Sequence, residues 1–265
     1  MNSLSDATAQ ILSTELLKRL AEARLVMVLT GAGMSAESGV PTFRDAQTGI
    51  WAKYRAEDLA TPEAFAANPS KVWQWYEERR AKVRAARPHG GHQALVILES
   101  LVPGLTVVTQ NVDGLHQLSG SRDVLELHGN ILRSKCSVTG RAISAEWLAD
   151  SPHDAPPSPY VAHGFARPDV VWFGETLPQQ ALAKAMTAAV SCDFCISAGT
   201  TSLVQPAASL PLLALEHGAA LIEINPQETP LSPHANQCLR GTVSQVLPAI
   251  VGQLQSWKRD PGQAT

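Results

Sequence analysis

The sequence predicts an α/β fold, a parallel sheet with helices on both faces, and two observations carry that prediction. Leu25, Val26, Met27, Val28 and Leu29 form an uninterrupted apolar run, as expected of a strand buried on both faces, and glycines at Gly31 and Gly33 end it. Further on, helical and strand-like stretches alternate over 180–190, 194–198, 206–217 and 221–224, which is how crossover connections read in a parallel sheet. At 265 residues with 45% hydrophobic content, the chain is long enough for one large domain carrying a smaller insertion.

Composition narrows the function classes. A formal net charge of -3 gives no general attraction to nucleic acid or to an anionic membrane, so neither is an expected partner. The opening MNSLSDATAQ lacks a basic stretch and an apolar core, and no apolar run approaches membrane-spanning length. Four cysteines do not make a disulfide scaffold in a chain of this size. A reducing cytoplasm is the expected compartment.

Leu12, Leu16 and Leu20 recur at helical spacing and predict an amphipathic helix leading into the first strand. That strand ends in G-x-G-x-x-A, formed by Gly31, Gly33 and Ala36, where small residues let backbone amides approach a pyrophosphate. An ordinary strand-turn-helix junction has the same spacing. Gly39, Pro41 and the polar run Phe43-Arg44-Asp45 break any long helix after the turn, so a mobile loop is expected there. The acidic residue that closes the second strand of a dinucleotide-dependent oxidoreductase is missing.

Residues 46–88 carry Trp51, Tyr54, Trp73, Trp75 and Tyr76 with helical periodicity and read as a helical insertion over that loop. Tyr76 and Arg79 stand at i and i+3, neighbours on one helix face. A phenol beside a guanidinium is a good carboxylate receptor, because Arg donates two parallel charge-assisted hydrogen bonds and Tyr adds a third. The basic run Arg79, Arg80, Lys82, Arg84 and Arg87 equally fits a solvated helix face.

Residues 92–102 predict a helix with Leu95, Leu98, Leu101 and Val102 on its apolar face, stopped by Pro103-Gly104. Residues 105–108 form the next buried strand and deliver Gln110, Asn111 and Asp113 at its C-terminal end, where open parallel sheets bind ligands. Asp113 before Gly114 also suits a plain turn. Residues 124–128 read as a further strand ending on His128, the side-chain type that takes a proton near neutral pH, although a structural histidine has the same signature.

Four stretches together resemble the signatures of the sirtuins, the NAD-dependent protein lysine deacylases. GAGMSAESGVPTFRD (31–45), TQNVD (109–113), LHG (127–129) and RPDVVWFGE (167–175) occur in that family's order. The resemblance implies a Rossmann-like NAD-binding domain formed by 1–45, 89–131 and 164–265. It also implies a small inserted domain formed by 46–88 and 132–163, part helical and part degenerate zinc ribbon. NAD contacts are implied for Gly31, Ala32, Gly33, Ser35, Ala36, Pro41, Phe43 and Arg44, and for Gln110, Asn111, Asp113 and His128. Gly199, Thr200, Thr201, Asn225 and the backbone of Val243 are implied on the ribose and adenosine side. His128 takes the part of general base, Asn111 that of ribose and water ligand, and Asp113 lies at the nicotinamide end. Val171, Trp172, Phe173, Gly174 and Glu175 correspond to the segment that pairs with substrate peptide and lines the acyl-lysine channel.

Residues 58–80 are similar to the sirtuin branch that prefers succinyl, malonyl or glutaryl groups. There a Tyr and an Arg in this spacing hold the acyl carboxylate and a small residue makes room for it, positions matched by Tyr76, Arg79 and Ala60. The implied reaction acts on acyl-lysine proteins or peptides and yields nicotinamide, O-acyl-ADP-ribose and free lysine.

One region departs from the family. Most sirtuins bind a structural zinc through two CxxC pairs, but here only Cys136 remains, with Thr139, Pro159 and Ala162 about where other ligands belong. His153 and His163 are irregularly spaced, so no metal is expected and the proline-rich loop 151–160 should be held by packing. Cys192 and Cys195 are expected at the start of an apolar strand, where i and i+3 side chains face opposite ways, and read as buried thiols. A general lysine deacetylase, a dinucleotide-dependent oxidoreductase and a non-catalytic NAD- or peptide-binding module are the alternatives.

Overall fold

The computed structural model describes residues 11–40, 54–151 and 154–260. The first helix, α1 (Thr14–Glu22), starts at Ser13, whose side chain accepts from the amide of Leu16, and buries Leu16, Leu17 and Leu20. It leads into β1 (Leu25–Thr30), as the leucine spacing predicts. β1 pairs in parallel with β2 (Gly104–Thr109) on one side and β7 (Phe194–Ala198) on the other. With β3 (Val124–Glu126), β8 (Ala220–Ile224) and β9 (Gln237–Leu239), the sheet runs β3-β2-β1-β7-β8-β9, all parallel. This is the doubly wound order, which reverses direction between β1 and β7 and opens a crevice beyond the C-terminal ends of those strands.

The unbroken apolar run of β1 follows from having a core on each face. Val26 and Val28 pack in one cluster with Leu16, Leu98 and Leu247, while Met27 and Leu29 pack in another with Ala185, Leu210 and Leu221. α1, α6 (Gly90–Leu101) and α11 (Val243–Arg259) cover the first face; α9 (Gln179–Ser191) and α10 (Leu210–Glu216) cover the second. A strand of period two with both faces buried leaves no solvent position for a polar side chain.

Between β1 and β2 lie the short α2 (Ala32–Ala36), then α3 (Ala56–Leu59), α4 (Pro62–Ala67) and α5 (Pro69–Ala85). Thr61 and Asn68 cap α4 and α5 by accepting from the amides of Ala64 and Lys71, and the prolines that follow sit where an N–H is not needed. A second, antiparallel sheet has the order β5-β4-β6, from β4 (Gly129–Cys136), β5 (Ala142–Ile143) and β6 (Ala166–Val170). It extends from Gly129 to Val170, with β4 running across residue 131, β5 between 132 and 163, and β6 beginning after 164. α5 packs Trp75 and Tyr76 against Ile131, Val170 and Trp172. Arg80 of the same helix is buried, donating to the carbonyls of Ile131 (2.6 Å) and Arg133 (3.0 Å) and to Ser134 Oγ (2.8 Å), and it pairs with Glu77. A buried cation is tolerated only when satisfied in this way.

The described residues of this smaller sheet bring few zinc ligands together. Burial pushes the Cys136 thiol up, but donors from Ser158, Thr139 and the amides of Thr139 and Val138 outweigh it and bring the thiol to about 7. That supplies at most one of four ligands. His163 is exposed, His153 lies outside the described residues, and among the described residues no three His, Cys, Asp or Glu side chains gather around a possible ion. Trp73, Cys136, Ile143, Ala155 and Ala166 instead form a small apolar cluster, with Leu148, Tyr160 and Val161 packed on it.

Cys192 differs from expectation. α9 runs to Ser191, so Cys192 caps that helix instead of starting β7, and its thiol shares one core with Cys195, where burial raises it to about 11. β5, β9, α7 (Leu115–Ser119) and α8 (Ala145–Ala149) are two to five residues long, too short to show a period.

Addition of EDTA is expected to leave the thermal midpoint unchanged, whereas Trp73→Ala should cost about 3 kcal/mol, as emptying a buried aromatic site does. Circular dichroism melts check both, and a chelator-induced drop would show that a metal holds this sheet.

Candidate active site

The site forms beyond the C-terminal ends of β1, β2 and β7. The Gly31 amide donates to the Ala198 carbonyl at 3.2 Å and the Gly33 amide to the Gly199 carbonyl at 2.8 Å. A Cβ on Gly31 would lie 2.8 Å from Thr200 Cα, and one on Gly33 2.8 Å from Gly199 Cα. Gly199 has φ +63, and its own added Cβ would meet the Met34 amide nitrogen at 2.6 Å. The glycines are therefore demanded first by contact between two backbone turns. α2 is a five-residue helix that leaves Ala32 and Ala36 exposed and Ser35 buried. Pro41, Phe43 and Arg44 lie outside the described residues.

A chain of polar groups crosses the crevice floor. Asn111 Nδ2 donates to the Gly31 carbonyl and to Ser35 Oγ, each at 2.9 Å. Ser35 Oγ donates to Asp113 Oδ2 at 2.6 Å, and the Leu115 amide donates to Asp113 Oδ1 at 2.9 Å. Because the Gly31 carbonyl only accepts, the Asn111 amide orientation is fixed and Oδ1 is the atom left for a ligand. Burial raises the Asp113 carboxyl, and the Ser35 and Leu115 donors pull it back.

His128 follows β3 by two residues. Its Nδ1 lies 2.9 Å from the Gln110 carbonyl, which only accepts, so Nδ1 carries the proton and Nε2 keeps its lone pair. Burial holds its pKa below the ordinary value, with the Gln110 bond opposing. A neutral imidazole with one nitrogen anchored and the other basic is equipped as a general base.

The remaining turns are tied to this floor. Gln110 Nε2 donates to Thr200 Oγ1 at 3.0 Å, and Asn225 Nδ2 donates to the Thr200 carbonyl at 2.7 Å. Thr201 is half-buried beside them. Val243 is buried as the first residue of α11, and Ser244 donates through its amide (3.2 Å) and hydroxyl (2.6 Å) to Glu37, just past α2.

The segment after β6 forms a second wall. The Val171 amide donates to the His128 carbonyl at 2.9 Å, and the Phe173 amide to the Ala60 carbonyl at 3.0 Å. Trp172 is buried, and its Nε1 donates to Tyr76 Oη at 2.9 Å. Phe173 is 51% exposed, and Gly174 turns the chain at φ +85. Arg79 is half-buried, with its guanidinium carbon 5.1 Å from the Trp75 ring centroid, and its charge acts on the Tyr76 phenol. Thus Ala60, Tyr76 and residues 171–175 meet in one wall, joined by backbone to His128.

Behind Asn111 lies a buried chain that no motif singled out. The Asn111 amide donates to Thr109 Oγ1 (3.0 Å), Thr30 Oγ1 donates to Thr109 Oγ1 (2.9 Å), and His116 Nε2 is 2.9 Å from Thr30 Oγ1. The His116 ring lies 5.1 Å from that of His92, which lies 4.4 Å from His89. The signal for it in the sequence is slight: both β1 and β2 end on threonine. Burial lowers His92 to about 3 and His116 to about 4.

A histidine whose pKa is lowered by folding binds fewer protons than in the unfolded chain, so its contribution is complete above pH 6.5 and lost as pH falls toward 4. Stability is expected to decline through that window by about 1.4 kcal/mol per pH unit for each histidine. Urea melts across pH check this, with His92→Gln reducing the slope; a flat profile would mean the two rings are protonated in the fold.

Comparison with known proteins gives a consistent answer. A model of the Sir2 family matches residues 31–206. NAD-dependent protein deacylase 1 of Pseudomonas aeruginosa is 47% identical over 238 residues, covering 88% of this chain and 95% of its own length. An NAD-dependent protein deacylase of Thermus thermophilus is 50% identical over 227 residues, 84% of this chain and 87% of that protein. A crystal structure of a Sir2 homologue in complex with NAD superposes with a TM-score of 0.85 at 45% identity, over 92% of this chain and 94% of that one. The chain belongs to the Sir2 family.

Proposed function

We propose that this chain is an NAD-dependent protein lysine deacylase acting preferentially on acidic acyl groups, succinyl, malonyl or glutaryl. The observation that carries the catalytic part is the convergence of Asn111, Ser35, Asp113 and a tautomer-fixed His128 at the crossover between β1 and β7. Relatives named as NAD-dependent deacylases support the same reading.

The residues present fit NAD. The turns at Gly31–Gly33 and Gly199–Thr200 lie together at the C-terminal ends of β1 and β7, where the strand order reverses and parallel sheets bind dinucleotides. Gly199, Thr200, Thr201, Asn225 and the backbone at Val243 would hold the ribose and adenosine side, with Gln110 tied to Thr200. Bound NAD supplies an electrophilic anomeric carbon, with nicotinamide as leaving group, and a ribose hydroxyl to receive the acyl group. Asn111 Oδ1 accepts from a ribose hydroxyl and orients it, and Asp113 lies toward the nicotinamide end. His128 Nε2 takes the proton from that hydroxyl as it becomes a nucleophile, while the Gln110 carbonyl steadies the charge the imidazole acquires. Residues 171–175 hold the peptide backbone and guide the acyl-lysine inward. With one water consumed to release the lysine amine, the products would be nicotinamide, O-acyl-ADP-ribose and free lysine.

For the acidic preference, the supporting features are the Tyr76 hydroxyl and Arg79 charge beside the Trp172 wall, with the small side chain of Ala60 in the same cluster. Carboxylate binding by a guanidinium and a phenol is strong and directional. The free thiols of all four cysteines support a reducing location, the cytoplasm.

Mass-spectrometric turnover of one peptide carrying acetyl- or succinyl-lysine tests the whole reading. Succinyl is expected to be preferred, with Arg79→Met abolishing the preference and His128→Ala costing at least about 100-fold on both substrates. Equal turnover of both peptides by the native chain would make it a general deacetylase, and no NAD-dependent turnover would remove the enzymatic assignment. Because burial lowers the His128 pKa, the acid limb of kcat/KM should fall below pH 6.5.

A further inference from the structure

Tyr76 is held by a clamp that begins on the smaller sheet. Arg167 of β6, 5% exposed, forks onto Glu175, with Nη1 to Oε1 at 2.6 Å and Nη2 to Oε2 at 2.9 Å. Its Nη2 also donates to the Val170 carbonyl at 2.9 Å. Glu175 Oε2 accepts the Trp172 amide at 2.8 Å, and the Glu175 amide returns to the Trp172 carbonyl at 3.0 Å. Burial works to raise the Glu175 carboxyl, but the Arg167 fork and the Trp172 amide outweigh it and keep it ionised. The Arg167 guanidinium carbon stacks 3.2 Å from the Trp172 ring centroid, and Phe65 lies 5.2 Å away by centroid. Backbone and ring of Trp172 are therefore both immobilised.

The fixed indole N–H donates to Tyr76 Oη at 2.9 Å. Indole is a donor only, so the phenol cannot return its own proton to Trp172. A phenol O–H lies near the ring plane with two favoured directions, and a donor arriving in one direction commits the proton to the other. The charged groups acting on this phenol include Arg79, Arg167, Glu175 and, through its own coupling, Arg80. Three of these are cations, and the carboxylate already accepts from Arg167 and Trp172. Such surroundings suit an incoming acceptor with negative charge.

We infer that Trp172, clamped by Arg167 and Glu175, is a positioning residue for acyl specificity: its indole N–H aims the Tyr76 proton at the carboxylate of an acidic acyl group. The phenol then donates alongside Arg79. This rests on the acyl-receptor reading of Tyr76 and Arg79.

The test is a double-mutant cycle on the ratio of kcat/KM for succinyl- over acetyl-lysine in one peptide, using native protein, Trp172→Phe, Tyr76→Phe and the double variant. Trp172→Phe keeps a ring and removes the donor, and should lower the ratio about tenfold. In the Tyr76→Phe background it should leave the ratio where Tyr76→Phe alone puts it. A ratio unmoved by Trp172→Phe, or lowered equally in both backgrounds, means Trp172 acts by packing and overturns the inference. Arg167→Met loosens the clamp without touching the donor and should shift the ratio the same way, through KM for the succinyl peptide. Should Trp172→Phe not fold by circular dichroism, Arg167→Met decides, and an unchanged ratio there rejects the role. A native ratio near one, or one indifferent to Arg79→Met, rejects the acyl-receptor reading itself. Preference lost in Arg79→Met and retained in Trp172→Phe rejects the role of Trp172 alone.

Discussion

The contact between the turns after β1 and β7 is the constraint on which the site depends. Gly31 and Gly33 press their backbone onto Gly199 and Thr200 so closely that no Cβ fits on Gly31, Gly33 or Gly199. That approach brings the ends of the two central strands together at the point where the sheet changes direction, and so creates the crevice. It also frees the Gly31 carbonyl to receive Asn111, so the scaffold contact and the first link of the polar floor share one residue. The dinucleotide fingerprint is thus as much a rule about how two turns pack as about a phosphate.

Polar groups on this floor are tolerated because they satisfy one another. Asn111 and Ser35 donate in a directed series that ends on the Asp113 carboxylate, and Thr30, Thr109 and His116 continue the network beneath the sheet ends. Desolvation then decides protonation: it lowers the buried histidines and raises Asp113, with local donors opposing. His128 shares this environment, and the carbonyl at its Nδ1 leaves only Nε2 for chemistry.

The two sheets communicate through one short segment. Val171 is bonded to His128, Trp172 to Tyr76 and Phe173 to Ala60, so His128 and the inserted helices α3 and α5 are set relative to one another by three consecutive residues. The smaller sheet provides the lever, since Arg167 and Glu175 hold that segment from its base. An apolar cluster around Trp73 and Cys136 packs the end of this sheet.

Local pattern alone accounts for much of this molecule. The apolar run of β1, the glycine turn, the helix over 90–101 and the strand at 194–198 follow from period and turn chemistry, and the sirtuin-like stretches mark the chemistry-bearing residues. What local pattern does not contain are relations between distant positions. Tyr76 meets Trp172 across 96 residues, and Thr30 meets His116 across 86. Whether Arg79 stands on a solvated face or beside a buried phenol is settled by what α5 packs against, and Cys192 is a helix cap because α9 runs further than its apolar spacing suggests. The tautomer of His128 is likewise a tertiary property, fixed by the Gln110 carbonyl. Periodicity reports which face of an element is buried; only the packed chain decides what lies on the other side of that face.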